Sequence, residues 1–119
     1  AHRRLGNLVG IIDCNRLGFD GTIEEITGLG DIADKYRAFG WNVTEVDGHD
    51  VGALVDAFDH LPPADFDKPT VLVCHTVKGH GVSFMENQVK WHAGRLSEEN
   101  RDEAIRQLER AYNEKWGRS

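Results

Sequence analysis

Asn7 to Asp20 reads NLVGIIDCNRLGFD. Leu8-Val9-Gly10-Ile11-Ile12 is an unbroken apolar run, the pattern of a parallel strand covered on both faces. It ends in the polar cluster Asp13-Cys14-Asn15-Arg16, which opens a loop. In open α/β sheets, ligands bind at this edge, beyond the carboxyl ends of the strands. The side-chain amide oxygen of Asn15, followed by backbone carbonyls, suits a hard cation such as Mg²⁺. Taken alone, the same residues read equally as a turn, because Asn tolerates unusual backbone angles.

Thr70 to Val77, TVLVCHTV, is a second apolar, β-branched strand. It runs into Lys78-Gly79-His80-Gly81-Val82-Ser83-Phe84-Met85-Glu86 and then Trp91-His92-Ala93-Gly94. Two strands thus deliver an amide, a Lys and a His at a carboxyl edge. A hard cation beside a lysine in a glycine-loosened loop is the chemistry a diphosphate requires. Singly, Lys78 also reads as a solvated cation and His92 as a packed, hydrogen-bonded ring.

The rest of the chain alternates in the α/β manner. Thr22-Ile23-Glu24-Glu25 has capping-box spacing and opens a short helical turn, ended by Gly28 and Gly30. Asp31 caps a helix to about Phe39, stopped by Gly40. Asn42 to Asp47 is a short strand. Asp50 caps a helix to about His60, with Val51, Leu54, Val55 and Phe58 on one face. Pro62-Pro63 breaks it. Ser97 caps a last helix to about Trp116, with Ala104, Ile105, Leu108, Ala111 and Tyr112 as its apolar stripe. Ala1 to Gly6 reads as the tail of a helix, Leu5-Gly6-Asn7 as its turn into the first strand, and Gln88 to Leu96 as a linker. Asp13, Asp47 and Asp50 read as strand-end or capping carboxylates, and His49 as a turn residue. Phe84, Met85 and Trp91 form a candidate contact surface.

The 119 residues allow one modest core. Apolar residues make up 39%, with no run that could span a bilayer and no apolar leader. A net charge of −6 argues against nucleic acid as the main partner. Cys14 and Cys74 lack metal-ligand spacing and read as reduced thiols of a cytoplasmic protein.

Four words of this sequence resemble the thiamine-diphosphate-binding half of the transketolase family. They are NLVGIIDCNRLGFDG, KYRAFGWNVTEVDGHD, KPTVLVCHTVKGHGVSF and WHAG, in the family's order and at its approximate spacing, from about Leu5 to Gly94. The resemblance implies a three-layer α/β fold with a mostly parallel sheet. It implies thiamine diphosphate with Mg²⁺ (or Ca²⁺), the cation held by the Asn15 side chain and the Leu17 carbonyl. Lys78 and His92 would orient diphosphate oxygens, and His92 would also face the reacting sugar as the catalytic residue. His80 would face either outward or toward the substrate mouth. The implied reaction is two-carbon ketol transfer between a ketose and an aldose.

The family's domain opens with a strand and a Gly-Asp-Gly motif supplying a metal-binding aspartate. No such motif occurs here; Gly30-Asp31-Ile32 and Asp20-Gly21 are the nearest strings. Residues 1–119 are therefore expected to be the C-terminal portion of a diphosphate-binding domain, with 97–116 as its terminal helix. Two partners are implied. One chain would carry the Gly-Asp-Gly half, and another the pyrimidine-binding and C-terminal domains. The glutamate acting on the aminopyrimidine would come from the latter, not from Glu24, Glu25, Glu45 or Glu86. Two alternatives remain: a related enzyme such as deoxyxylulose-phosphate synthase or dihydroxyacetone synthase, and a non-catalytic structural or regulatory fragment. The Trp91–Gly94 word and the long spacing after Lys78 favour transketolase. The intact Asn15, Lys78 and His92 weigh against a non-catalytic fragment.

Overall fold

The computed structural model describes residues 1–117. They form two compact units, one of residues 1–16 and 23–76, the other of residues 17–22 and 77 onward.

The first unit is built on three parallel strands, β1 (Val9–Cys14), β2 (Asn42–Asp47) and β3 (Thr70–His75), in the order β1-β3-β2. The register sets Cys14 and Asp47 opposite His75, so all three strands end at one level. β3, last in sequence, is central. Its Thr70 to Cys74 are buried, as both-faced cover demands of a continuous apolar strand. Val71, Leu72 and Val73 with Ala33 are the heart of this core. The flanking β1 is less covered than an apolar run suggests. Ile11 is 63% exposed, and Asp13 and Cys14 belong to the strand rather than to the loop.

Helices follow the strands as expected. α1 (Ile23–Ile26) is one turn. α2 (Ile32–Ala38) packs on β2 and β3, and α3 (Val51–Asp59) on β2. The Asp31 carboxylate accepts the Asp34 N–H at 2.9 Å, and Asp50 accepts that of Ala53 at 3.1 Å. Each satisfies a backbone donor that has no partner within its helix. α3 does not bury the face marked by Val51, Val55 and Phe58, which are exposed; Ala53, Leu54 and Ala57 are the covered positions. Small side chains let the helix backbone approach its neighbours. Ala1 to Gly6 is a turn, not a helix tail. Gly6 is buried so closely against the Phe66 carbonyl that a Cβ would stand 1.9 Å from it.

Ion pairs tie α2 to the sheet. Arg37 bridges Asp34 and Glu45 at 2.8 Å each, and Glu45 meets His75 Nε2 at 3.0 Å.

The second unit contains the loop after Thr76, a 3₁₀ turn (Val89–His92) and α4 (Glu98–Trp116). The expected linker is thus partly ordered by a helical turn. Ser97 caps α4 by accepting the Asn100 N–H at 3.2 Å. Ala104 is buried and Gln107 half-buried, whereas Ile105, Leu108 and Tyr112 of the expected stripe are exposed. Gln107 Oε1 takes the Ser83 N–H at 2.7 Å, which turns that face of α4 toward the loop. No helix among the described residues is long and apolar enough to cross a membrane.

Candidate functional site

Asn15 directly follows β1. Its Nδ2 donates to Asp13 Oδ2 at 3.3 Å. An ionised carboxylate only accepts, so the nitrogen end of the amide must face Asp13. The amide oxygen, the end with affinity for a cation, turns away from that carboxylate. Arg16, next in line, has φ of +60°, a left-handed conformation unusual for a side-chain-bearing residue. That reversal lets its carbonyl accept the Ile23 N–H at 3.0 Å.

Asp13 is more than a cap. Its Oδ1 accepts the Thr76 hydroxyl, and Thr76 immediately follows β3. The Thr76 methyl in turn lies against Gly48 after β2, where an added Cβ would stand 2.5 Å from it. Gly48 N–H donates to the His75 carbonyl at 2.8 Å. All three strand ends therefore meet around Thr76. Burial, and then the Asp13 charge, push the neighbouring Cys74 thiol above its ordinary pKa.

In the second unit, Leu17 makes an isolated bridge with Thr22, closed by Gly18 N–H to the Gly21 carbonyl at 2.8 Å. The bridge fixes the backbone around the Leu17 carbonyl. Within the same unit the Phe19 ring stands on His92. His92 ends the 3₁₀ turn and is exposed. Trp91 beside it is half-buried; its Nε1 donates to the Phe84 carbonyl at 2.9 Å and its ring meets Phe84 at 5.6 Å. Phe84 and Trp91 thus cover one another, so that surface is more closed than expected.

Lys78 is half-buried, its carbonyl accepting the Asn87 N–H at 3.0 Å, and its ammonium meets no carboxylate among the described residues. Gly79 follows with φ of +76° and the Met85 carbonyl 2.6 Å from where a Cβ would be. His80 faces solvent, 3.6 Å from Glu86.

The donors match a diphosphate with a hard cation in kind: one amide oxygen, one backbone carbonyl, one ammonium, one imidazole. They are a partial set. Mg²⁺ takes about six oxygens, and no three His, Cys, Asp or Glu residues gather into a metal cluster among the described residues. Asn15 lies in the first unit, whereas Leu17, Lys78 and His92 lie in the second. Thr76 and Phe19, and the part Asp13 plays beyond capping, are not evident from the sequence. Thr76 carried one signal, a hydroxyl directly beyond the apolar Val71-Leu72-Val73 run and His75.

A family model described as transketolase, thiamine diphosphate binding domain, matches residues 1–116. An apulose-4-phosphate transketolase subunit of Phocaeicola vulgatus is 42% identical over 105 residues, 88% of this chain and 37% of that protein. The 6-deoxy-6-sulfo-D-fructose transketolase subunit SqwG of a Clostridium species is 38% identical over 108 residues, 91% of this chain and 39% of that protein. The chain thus spans less than two-fifths of these relatives. The crystal structure of Campylobacter jejuni transketolase shares the fold, with a TM-score of 0.77 and 24% identity over 89% of this chain and 16% of that one.

Proposed function

Because the chain belongs to the transketolase thiamine diphosphate-binding family, we propose that it is the diphosphate-holding part of a split transketolase. The observation that carries this reading is the Asn15 amide at the carboxyl end of β1, its nitrogen turned to Asp13 and its oxygen turned away from that carboxylate. On this reading residues 1–119 are the C-terminal portion of the diphosphate-binding domain. Asn15 and the Leu17 carbonyl hold Mg²⁺ or Ca²⁺. Lys78 neutralises diphosphate oxygens as a point charge. His92 orients the diphosphate and hydrogen-bonds the reacting sugar. Thiamine diphosphate, when bound, supplies the electron sink for two-carbon ketol transfer.

The reading requires partners. The cation needs further oxygen donors, supplied by a chain with the Gly-Asp-Gly half. A second chain brings the pyrimidine-binding and C-terminal domains. The exposed apolar positions Ile11, Val51, Val55, Ile105, Leu108 and Tyr112 support burial in such an assembly. Two relatives are themselves named as transketolase subunits. The unbonded thiols Cys14 and Cys74 suit a reducing, cytoplasmic compartment.

Reconstitution tests it. The chain alone is expected to show no ketol transfer and negligible affinity for thiamine diphosphate with excess Mg²⁺. Both should appear on mixing with the complementing chains. Turnover by the purified single chain overturns the split-site reading. Cofactor binding by the assembly without transfer between sugars favours the non-catalytic alternative.

A further inference from the structure

We propose that Asp13 is a positioning residue for the cation site, fixing which end of the Asn15 amide faces the cation. The inference rests on the diphosphate-site reading above and deepens it.

An asparagine amide has two ends of nearly equal size and opposite polarity. Turned one way it offers a cation an oxygen; turned the other it offers N–H groups that repel it. Asn15 directly follows the strand. Its neighbour Arg16 sits in a left-handed conformation, its carbonyl accepting the Ile23 N–H at 3.0 Å. The Asp13 carboxylate accepts from the amide nitrogen, 3.3 Å away. Because it can only accept, it admits only the orientation with the oxygen turned away.

Asp13 is itself held. Its other oxygen takes the Thr76 hydroxyl, and Thr76 is pinned by its methyl against Gly48. The register places Asp13 opposite Cys74 and ends the three strands together. The carboxylate therefore inherits the rigidity of the sheet and passes it to the first residue beyond. With one oxygen on each donor, Asp13 serves the cation through Asn15 rather than as a ligand. Partners that orient a ligand in this way cost about ten- to a hundred-fold in metal affinity when removed.

The test uses the reconstituted assembly with thiamine diphosphate, and reads Mn²⁺ binding by electron paramagnetic resonance, so it does not depend on turnover. Asp13→Asn keeps the shape but has one acceptor for two donors. Its Mn²⁺ affinity is expected to fall about ten-fold. Asn15→Ala should fall at least as far. The double variant should fall no further than Asn15→Ala, because a residue acting through Asn15 has nothing left to position. Additive losses would mean that Asp13 acts on the cation directly, and would overturn the proposal. Wild-type Mn²⁺ affinity in Asp13→Asn, with Asn15→Ala weakened, overturns the proposal and leaves the diphosphate-site reading standing. Unchanged affinity in Asn15→Ala overturns both. Should Asp13→Asn fail to assemble, Asp13→Ser is read in its place, with the same expected loss and the same overturning result.

Discussion

Phe19 meets His92 edge to face, with ring centroids 5.2 Å apart and planes at 80°. The loop carrying Leu17 thereby seats the imidazole that the proposed function directs at the sugar and the diphosphate. Such ring contacts contribute about 0.5–1.5 kcal/mol beyond simple burial. Phe19→Ala should loosen His92 and lower kcat several-fold at saturating cofactor. In His92→Ala the same change should cost nothing further. Steady-state kinetics on the four proteins of that cycle decides it; equal losses in both backgrounds would separate Phe19 from His92.

Lys78 and His92 should fail differently. Lys78→Ala is expected to weaken cofactor binding, with the rate largely restored by saturating thiamine diphosphate. His92→Ala should keep a lowered kcat or a raised donor KM when cofactor saturates. Kinetics across a cofactor titration distinguishes the two. Full rescue of both variants would reduce His92 to a diphosphate ligand.

Gly79→Ala should disorder the segment that carries Lys78. At φ of +76° any side chain is strained, and the Met85 carbonyl 2.6 Å from the new Cβ must move. A destabilisation of about 1–3 kcal/mol is expected. Thermal unfolding measures the loss, and cofactor affinity should fall with it. A stable Gly79→Ala chain with unchanged affinity would show that the loop shifts freely.

Stability should fall in acid through Glu45. The hydrogen bond from Arg37, and then that from His75, hold the Glu45 carboxyl below its ordinary pKa. The unfolded chain therefore takes up the proton first. The stabilisation is complete above the ordinary carboxylate range and is lost as pH falls through the lower, folded value. Urea midpoints measured from neutral pH into acid should decline less steeply for Glu45→Gln than for the wild type. Parallel declines would remove Glu45 from the linkage.

Much of the local structure was legible because it is set by neighbours in sequence. Asp31, Asp50 and Ser97 cap their helices through side-chain oxygens three residues from the donor they satisfy. β2 spans Asn42–Asp47, as its alternation indicates. What could not be read was set by distant partners. β3 lies between β1 and β2, a choice made by parallel pairing across long connections. Of their expected apolar faces α3 covers Leu54 and α4 Ala104, while Val51, Val55, Phe58, Ile105, Leu108 and Tyr112 stay exposed. Asn15, Leu17, Lys78 and His92 are proposed as site residues from motif words. The Asp13–Thr76 contact spans 63 residues, and no local pattern announces it.

Cys74 gives the sheet a built-in clock. It is 6% exposed on the central strand, and burial with the nearby Asp13 charge disfavours its thiolate. Alkylating reagents need that thiolate, so they modify Cys74 during moments when the face of β3 that carries it is uncovered. The labelling rate then counts openings around Cys74, one residue pair inside the strand ends. Anything that keeps that face covered slows the count without touching the sulfur.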